Sequence, residues 1–207
     1  MPRTVSPVVP AGRMRNDGQP LLHVSPDLIL RGWLEADAPA VMAAFADPDI
    51  RFWHMRELVT EEDADSWIAG WRERWAAETD GSWAIVASGD DRLVGQVALR
   101  TVNLEFGDGQ ITYWVLPGSR REGVATRAAT EVSRWAFDDL GLHRLEIRHS
   151  VSNPWSCRVA EKVGFALEGT MRSALLHEDG WHDMHVHARR SADGVAVVAT
   201  PGPGADR

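Results

Sequence analysis

The chain has 207 residues, of which 44% are hydrophobic and 25% charged, with a formal net charge of −8. These proportions are those of an ordinary globular domain and exclude a fibrous or largely disordered chain. The acidic balance argues against nucleic acid as a partner, and no apolar run approaches the roughly 20 residues that span a bilayer. A single cysteine, Cys157, permits no internal disulfide; with no secretory signal visible at the N-terminus, a cytoplasmic protein is expected.

In chain order, residues 1–26 are rich in Pro, Gly and polar side chains and lack periodicity, so they are expected to form a mobile arm. Residues 28–34 read as a strand. An alanine-rich helix over 36–46 is expected to stop at Asp47-Pro48. A second helix over 61–78 has acidic residues in its first turn, which complement the helix dipole. On it Trp67, Trp71 and Trp75 recur every four residues. That stripe either packs onto the core or a partner chain, or lines a pocket.

Strands over 82–88 and 92–102 are joined by the turn residues Gly89-Asp90-Asp91, a hairpin signal. A third strand covers 110–117. A long helix over 122–140 shows helical spacing of Val124, Ala128, Val132, Trp135, Ala136 and Leu140, with Gly141 where a C-cap belongs. A strand over 143–151, a helix over 154–164 and strands over 165–173 and 181–188 close a single domain over 27–190. A flexible tail is expected over 191–207. This order mixes a meander with helical crossovers, which predicts an α+β (mixed α/β) fold: a mixed sheet with helices on both faces.

The most informative stretch runs from Val115 to Thr126, from a strand through a glycine turn directly into a helix. The first amides of a helix lack intrahelical partners, and with the positive end of the dipole they make an anion site. Gly123 and Ala125 permit close approach of a phosphate, Arg120 and Arg121 add forked donors, and Thr126 adds a hydroxyl. An ordinary βα turn with two solvated arginines remains the alternative reading of these residues alone. Neither GxxxxGK[ST] nor GxGxxG is present, so this is not a standard nucleotide loop.

Arg120-Arg121-Glu122-Gly123-Val124-Ala125 resembles the [Q/R]-x-x-G-x-[G/A] acyl-CoA signature of the GNAT superfamily of N-acetyltransferases. Ile111-Thr112-Tyr113-Trp114-Val115 resembles that family's fourth strand. The segment from Asn153 to Phe165 is similar to its NxxSxxVxEKxGF element, which points to the branch of the RimJ and RimL ribosomal-protein N-terminal acetyltransferases. Glu168 to Arg172 and Gly180 to Asp183 are also similar to that branch.

The resemblance implies an acyl-CoA-dependent N-acyltransferase, most simply an acetyltransferase, with acetyl-CoA or another short acyl-CoA as co-substrate. It implies splayed fourth and fifth strands with the pantetheine arm between them. Main-chain groups around Trp114, Val115 and Leu116 are then expected to pair with that arm. Amides from Arg121 through Glu122, Gly123, Val124 and Ala125 to Thr126 are expected to hold the pyrophosphate. Asn153 is implied as a CoA contact and Ser156 as the donor of a proton to the departing thiolate. Asn153 and Ser156 also have local readings, as an N-cap ahead of Pro154 and as a hydroxyl serving a helix start.

The resemblance implies a primary amine as acceptor, which must lose a proton before it attacks the thioester. A backbone amide of the fourth strand, such as that of Val115, is suited to hold the oxyanion. The family's usual glutamate is replaced here by Gln110, so Glu105 or Asp108, acting directly or through a water chain, is the expected base. His185 and His187 share a strand face with Asp183, a ligand-type set, but the resemblance implies no metal and none is expected. Residues 51–56, the Trp-bearing helix and a hairpin over 175–183 are expected to shape the acceptor pocket. They suit a protein N-terminus or a small-molecule amine, and Arg51 and Arg56 suit a succinyl carboxylate. A homodimer is expected. The rival reading is an acyl-CoA-binding regulatory module without catalysis.

Overall fold

The computed structural model describes residues 5–193. Its centre is a meander. The strands β1 (Leu22–Ser25), β2 (Leu28–Arg31), β3 (Gly81–Ala87), β4 (Leu93–Asn103) and β5 (Asp108–Val115) pair antiparallel in succession. Next comes β6 (Arg144–Ser150), parallel to β5, and then β8 (Gly180–Arg190) and β7 (Ala166–His177), both antiparallel. The eight strands form one sheet in the order β1-β2-β3-β4-β5-β6-β8-β7. The strands counted fourth and fifth from sequence are therefore β5 and β6, because Leu22–Ser25 adds one ahead of them.

Strand alternation divides the core into two layers. On one face Trp83, Ile85, Val97, Leu99 and Ile111 pack with Val124, Ala128 and Val132 of helix α5 (Val124–Arg134). On the other, Ala84, Val86, Ala98 and Trp114 meet helices α2 (Ala38–Phe45), α3 (Pro48–His54) and α4 (Glu61–Ala76). Trp67, Trp71 and Trp75 are all buried in these layers, so the stripe is core packing. It supplies no exposed surface for a dimer and no lining for the pocket described below. A capping box between Thr60 and Asp63 starts α4, as its acidic first turn predicts.

The alanine-rich helix stops ahead of Asp47-Pro48 as expected, and a further helix follows it: Asp47 caps α3 by accepting from the Ile50 amide at 3.0 Å, and Pro48 sits at N1. Two local expectations are corrected. The long helix does not keep one form: α5 passes into a π-helical turn over Trp135–Leu140 before Gly141 closes it with φ +88°. The N-terminal segment, as far as it is described, is docked instead of being a free arm. Val9 and Met14 are buried, and α1 (Arg13–Asp17) is held by Glu78, whose carboxylate accepts from the Gly12 and Met14 amides at 2.6 and 2.8 Å. The segment has no periodicity because side-chain and loop acceptors, not a regular ladder, satisfy its amides. Of the expected tail, Ser191–Asp193 form a 3-10 turn and residues 194–207 lie outside the described residues.

Candidate active site

The sheet splits at its parallel step. β5 runs for eight residues, yet it pairs with β6 only at Asp108, Gly109 and Gln110; beyond them the strands diverge. A cleft of about 380 Å³ opens there. Its walls carry Gln110 to Tyr113 from β5, Ile147 to Ser150 from β6, and Asn153 and Ser156 at the start of helix α6 (Pro154–Lys162). Trp53, His54 and Met55 close it on one side, and Met171, Ala174, Leu175 and His177 of β7 on the other.

Register determines which backbone groups face this gap. The Leu116 amide donates to the Val94 carbonyl at 2.9 Å. Alternate residues of an antiparallel ladder bond to the same neighbour, so Trp114 and Thr112 also turn their amides toward β4. Ile111, Tyr113 and Val115 turn theirs toward the cleft. Trp114 and Leu116, expected to pair with the arm, thus turn their amides to β4 instead of the gap, and the Trp114 side chain lies in the core. Two of the gap-facing carbonyls already have donors: His54 Nε2 on Tyr113 O at 3.2 Å, and Arg120 Nε on Val115 O at 3.1 Å. Burial lowers the His54 pKa to about 4, so the ring is neutral near pH 7 and donates its one N–H to that carbonyl. Gly95 allows the approach of β4 to β5, since a Cβ there would sit 2.5 Å from the Trp114 carbonyl oxygen.

Past β5, a 3-10 turn over Pro117–Ser119 leads to α5. Arg121 and Gly123 both take left-handed backbone, with φ +68° and +74°. The Arg127 amide donates to the Gly123 carbonyl at 2.9 Å, so the amides from Gly123 through Val124, Ala125 and Thr126 precede the first helical bond. Val124 itself is buried and offers only its backbone, whereas Arg121, Glu122 and Gly123 are exposed. Arg120 does not point to these amides. Its guanidinium bonds Asp47 at 2.6 Å and Asp49 at 2.9 Å, tying the loop to the start of α3. Arg121 remains at the surface, 5.8 Å from the Trp155 ring.

The structure brings Asn153 and Ser156 together in the cleft. Asn153 caps α6 by accepting from the Ser156 amide at 3.1 Å. The Ser156 hydroxyl lies 2.8 Å from Tyr113 Oη, which also reaches the Ser156 carbonyl at 3.2 Å. Burial raises the Tyr113 pKa, partly offset by the Ser156 hydroxyl, so the phenol stays protonated. Glu105 lies elsewhere, in the turn that precedes β5, and does not line the cleft. Its amide donates to the Asn103 side-chain oxygen at 3.0 Å, and its carbonyl accepts from the Val8 amide at 3.1 Å.

A relay that sequence reasoning missed lies beside the cleft. Ser150 Oγ is 2.6 Å from His182 Nδ1, and His182 Nε2 is 2.8 Å from Asp179 Oδ1. A carboxylate only accepts, so Nε2 carries the proton and Nδ1 accepts from Ser150. The hairpin residues Gly180 to Asp183 were the available signal, but nothing local links them to Ser150 on β6.

A sheet split at its one parallel step among the described residues, with a helix start beyond the split strand, is the architecture of acyl-CoA N-acyltransferases. The family profile described as the acetyltransferase (GNAT) domain matches residues 27–166, and the chain belongs to that family. It is an N-acetyltransferase by class. It is 25% identical over 162 residues to a Bacillus subtilis (strain 168) protein named "Uncharacterized N-acetyltransferase YoaA", covering 78% of this chain and 92% of the relative. The "Ribosomal-protein-serine acetyltransferase" of Escherichia coli (strain K12) is 27% identical over 100 residues, 48% of this chain and 56% of that one. Among solved structures, RimL, the ribosomal L7/L12 alpha-N-protein acetyltransferase in complex with coenzyme A, superposes with a TM-score of 0.75 at 20% identity, over 83% of this chain and 98% of that one. Among the described residues no helix is long and apolar enough to cross a membrane.

Proposed function

We propose that the chain transfers an acetyl group from acetyl-CoA to a primary amine that enters beside Trp53 and Leu175, with a protein N-terminal α-amine as the favoured acceptor. The observation that carries this reading is the divergence of β5 from β6 after Gln110, which leaves a strand-wide gap ending at the Ser156–Tyr113 pair. The pantetheine arm fills that gap against the amides of Ile111, Tyr113 and Val115. The pyrophosphate rests on the amides from Gly123 to Thr126, with Arg121 at hand. Relatives that act on ribosomal proteins support the choice of acceptor.

The reaction needs three proton transfers. The acceptor ammonium gives a proton through Ser150 Oγ to His182 Nδ1, and Asp179 stabilises the resulting imidazolium. The free amine attacks the thioester carbon, and a gap-facing β5 amide that the arm leaves open stabilises the oxyanion; the C–S bond then breaks as the carbonyl re-forms. The thiolate takes a proton from the Ser156–Tyr113 pair, and the second proton shed by the acylated nitrogen restores that pair. No covalent enzyme intermediate is involved. Self-association through edge strand β7, whose run from Ala166 to Ser173 is exposed, belongs to the same reading; sedimentation of the purified protein decides it.

Calorimetric titration with acetyl-CoA and succinyl-CoA, followed by thiol release with a panel of amines and N-terminal peptides, tests the proposal. The expected result is binding of acetyl-CoA and peptide-dependent thiol release. In His182→Asn that release falls by about 10²–10⁴-fold with unchanged CoA affinity. Tight CoA binding without turnover for any amine favours the regulatory module; full activity in His182→Asn removes the relay.

A further inference from the structure

β6 and β8 set three imidazoles on one face of the sheet. His149 stands directly opposite His185 in the antiparallel register, and His187 follows two residues later on the same face. Cys157, on the helix packed above them, closes the group. One ligand atom from each of His149, Cys157, His185 and His187 lies within 4.8 Å of every other. Tetrahedral zinc, with Zn–N about 2.1 Å and Zn–S about 2.3 Å, requires separations of about 3.4–3.6 Å, and Cys157 Sγ is already 3.8 Å from His187 Nε2.

The ring nitrogens are prepared for such an ion. His149 Nδ1 donates to the Ser150 carbonyl at 2.8 Å, and His187 Nδ1 to the Phe165 carbonyl at 3.2 Å. A carbonyl accepts only, so in both rings Nε2 carries the lone pair. Backbone acceptors on the far nitrogen fix metal-binding imidazoles in the same way. His149 is only 5% exposed, yet its Nε2 has no hydrogen-bond partner, and neither has the buried Nδ1 of His185. Buried polar atoms without partners are rare, and each such atom points to an unfilled role.

We propose that His149, Cys157, His185 and His187 form a tetrahedral binding site for a divalent transition-metal ion, zinc by ligand type. Bound there, the ion clamps the first turn of α6, which carries Asn153 and Ser156, onto β6 and β8. The four ligands take no part in the acyl transfer proposed above, and the site stands whether or not that reading does.

The test uses the full-length protein, stripped with a chelator and titrated with Co(II), then with Zn(II). The expected result is one equivalent of Co(II) with the visible bands of a tetrahedral ion and a thiolate charge-transfer band, both displaced by Zn(II), with a raised melting temperature in either metal. Cys157→Ser abolishes the charge-transfer band, and both it and His185→Ala weaken binding at least about tenfold. Circular dichroism and melting curves without metal establish that each variant is folded. Absence of uptake, an octahedral spectrum, a wild-type spectrum without the charge-transfer band, or folded variants that bind as wild type each overturn the site.

Discussion

Replacing Glu78 by Gln removes the charge that holds the N-terminal segment to the domain. The carboxylate is buried and accepts from the Gly12, Met14 and Arg15 amides at 2.6, 2.8 and 3.4 Å. Burial pushes the Glu78 pKa up, but these amides, with Arg15, outweigh it, so the net shift is downward from 4.5. The glutamine keeps one oxygen for one amide and turns its own N–H toward another. The loss is then one charge-assisted bond plus an unsatisfied donor, about 3 kcal/mol in all. For a domain of this size that lowers the melting temperature by roughly 6–12 °C. A depressed acid pKa stabilises the folded state above the unfolded value, and that contribution is lost as pH falls through the folded one. The gap between wild type and variant is therefore full at pH 7 and closes below about pH 4.5. Thermal melts across pH, with hydrogen exchange at Gly12 to Arg15, measure both effects. A variant that melts with wild type at pH 7 would refute the docking of this segment.

Ser156→Ala and Tyr113→Phe each lower kcat by about 10²-fold or more and leave CoA affinity nearly unchanged; the cap on α6 survives, because Asn153 takes the Ser156 amide and not its hydroxyl. Their losses are not additive if the two hydroxyls act as a unit, which a double-mutant cycle in the thiol-release assay reads. Gly95→Ala presses a methyl against the Trp114 carbonyl and costs roughly 1–3 kcal/mol in chemical denaturation. His54 is neutral when folded, with its pKa lowered to about 4, whereas the unfolded ring titrates at 6.5. The unfolded state thus binds the extra proton in between, and stability falls by at most about 3 kcal/mol as pH drops from 6.5 to 4. His54→Phe flattens that part of the stability curve, and an unchanged curve would rule the assignment out.

The elements were legible wherever one period or one cap dominates. Trp83 and Ile85 alternate with Ala84 and Val86 on a strand buried on both faces, and Thr60 with Asp63 marks the start of α4. The Arg120 to Thr126 loop announced itself through Gly123, whose positive φ only a glycine takes without strain. What stayed hidden depends on tertiary pairing. Arg120 looked like a phosphate ligand until Asp47 and Asp49, far back in the chain, claimed its guanidinium. Which of Tyr113, Trp114 and Val115 presents its amide to the cleft depends on a register anchored at Val94. Ser150, His182 and Asp179 meet only once β6 lies beside β8. The proline-rich N-terminus reads as unstructured by pattern, although Glu78, the burial of Val9 and Met14, and amide bonds to the turn before β5 together dock it.

The three residue pairs joining β5 to β6 also have a mechanical meaning. They weld two plates, the meander from β1 to β5 and the trio β6, β8 and β7, and beyond Gln110 the plates share no backbone rungs. A chain laid along the Ile111 to Val115 edge and against α6 braces both plates, as a crossbar stiffens an open frame. Its arrival is therefore expected to slow amide exchange in β6 and β8 together with β5, including at positions the bound molecule never touches.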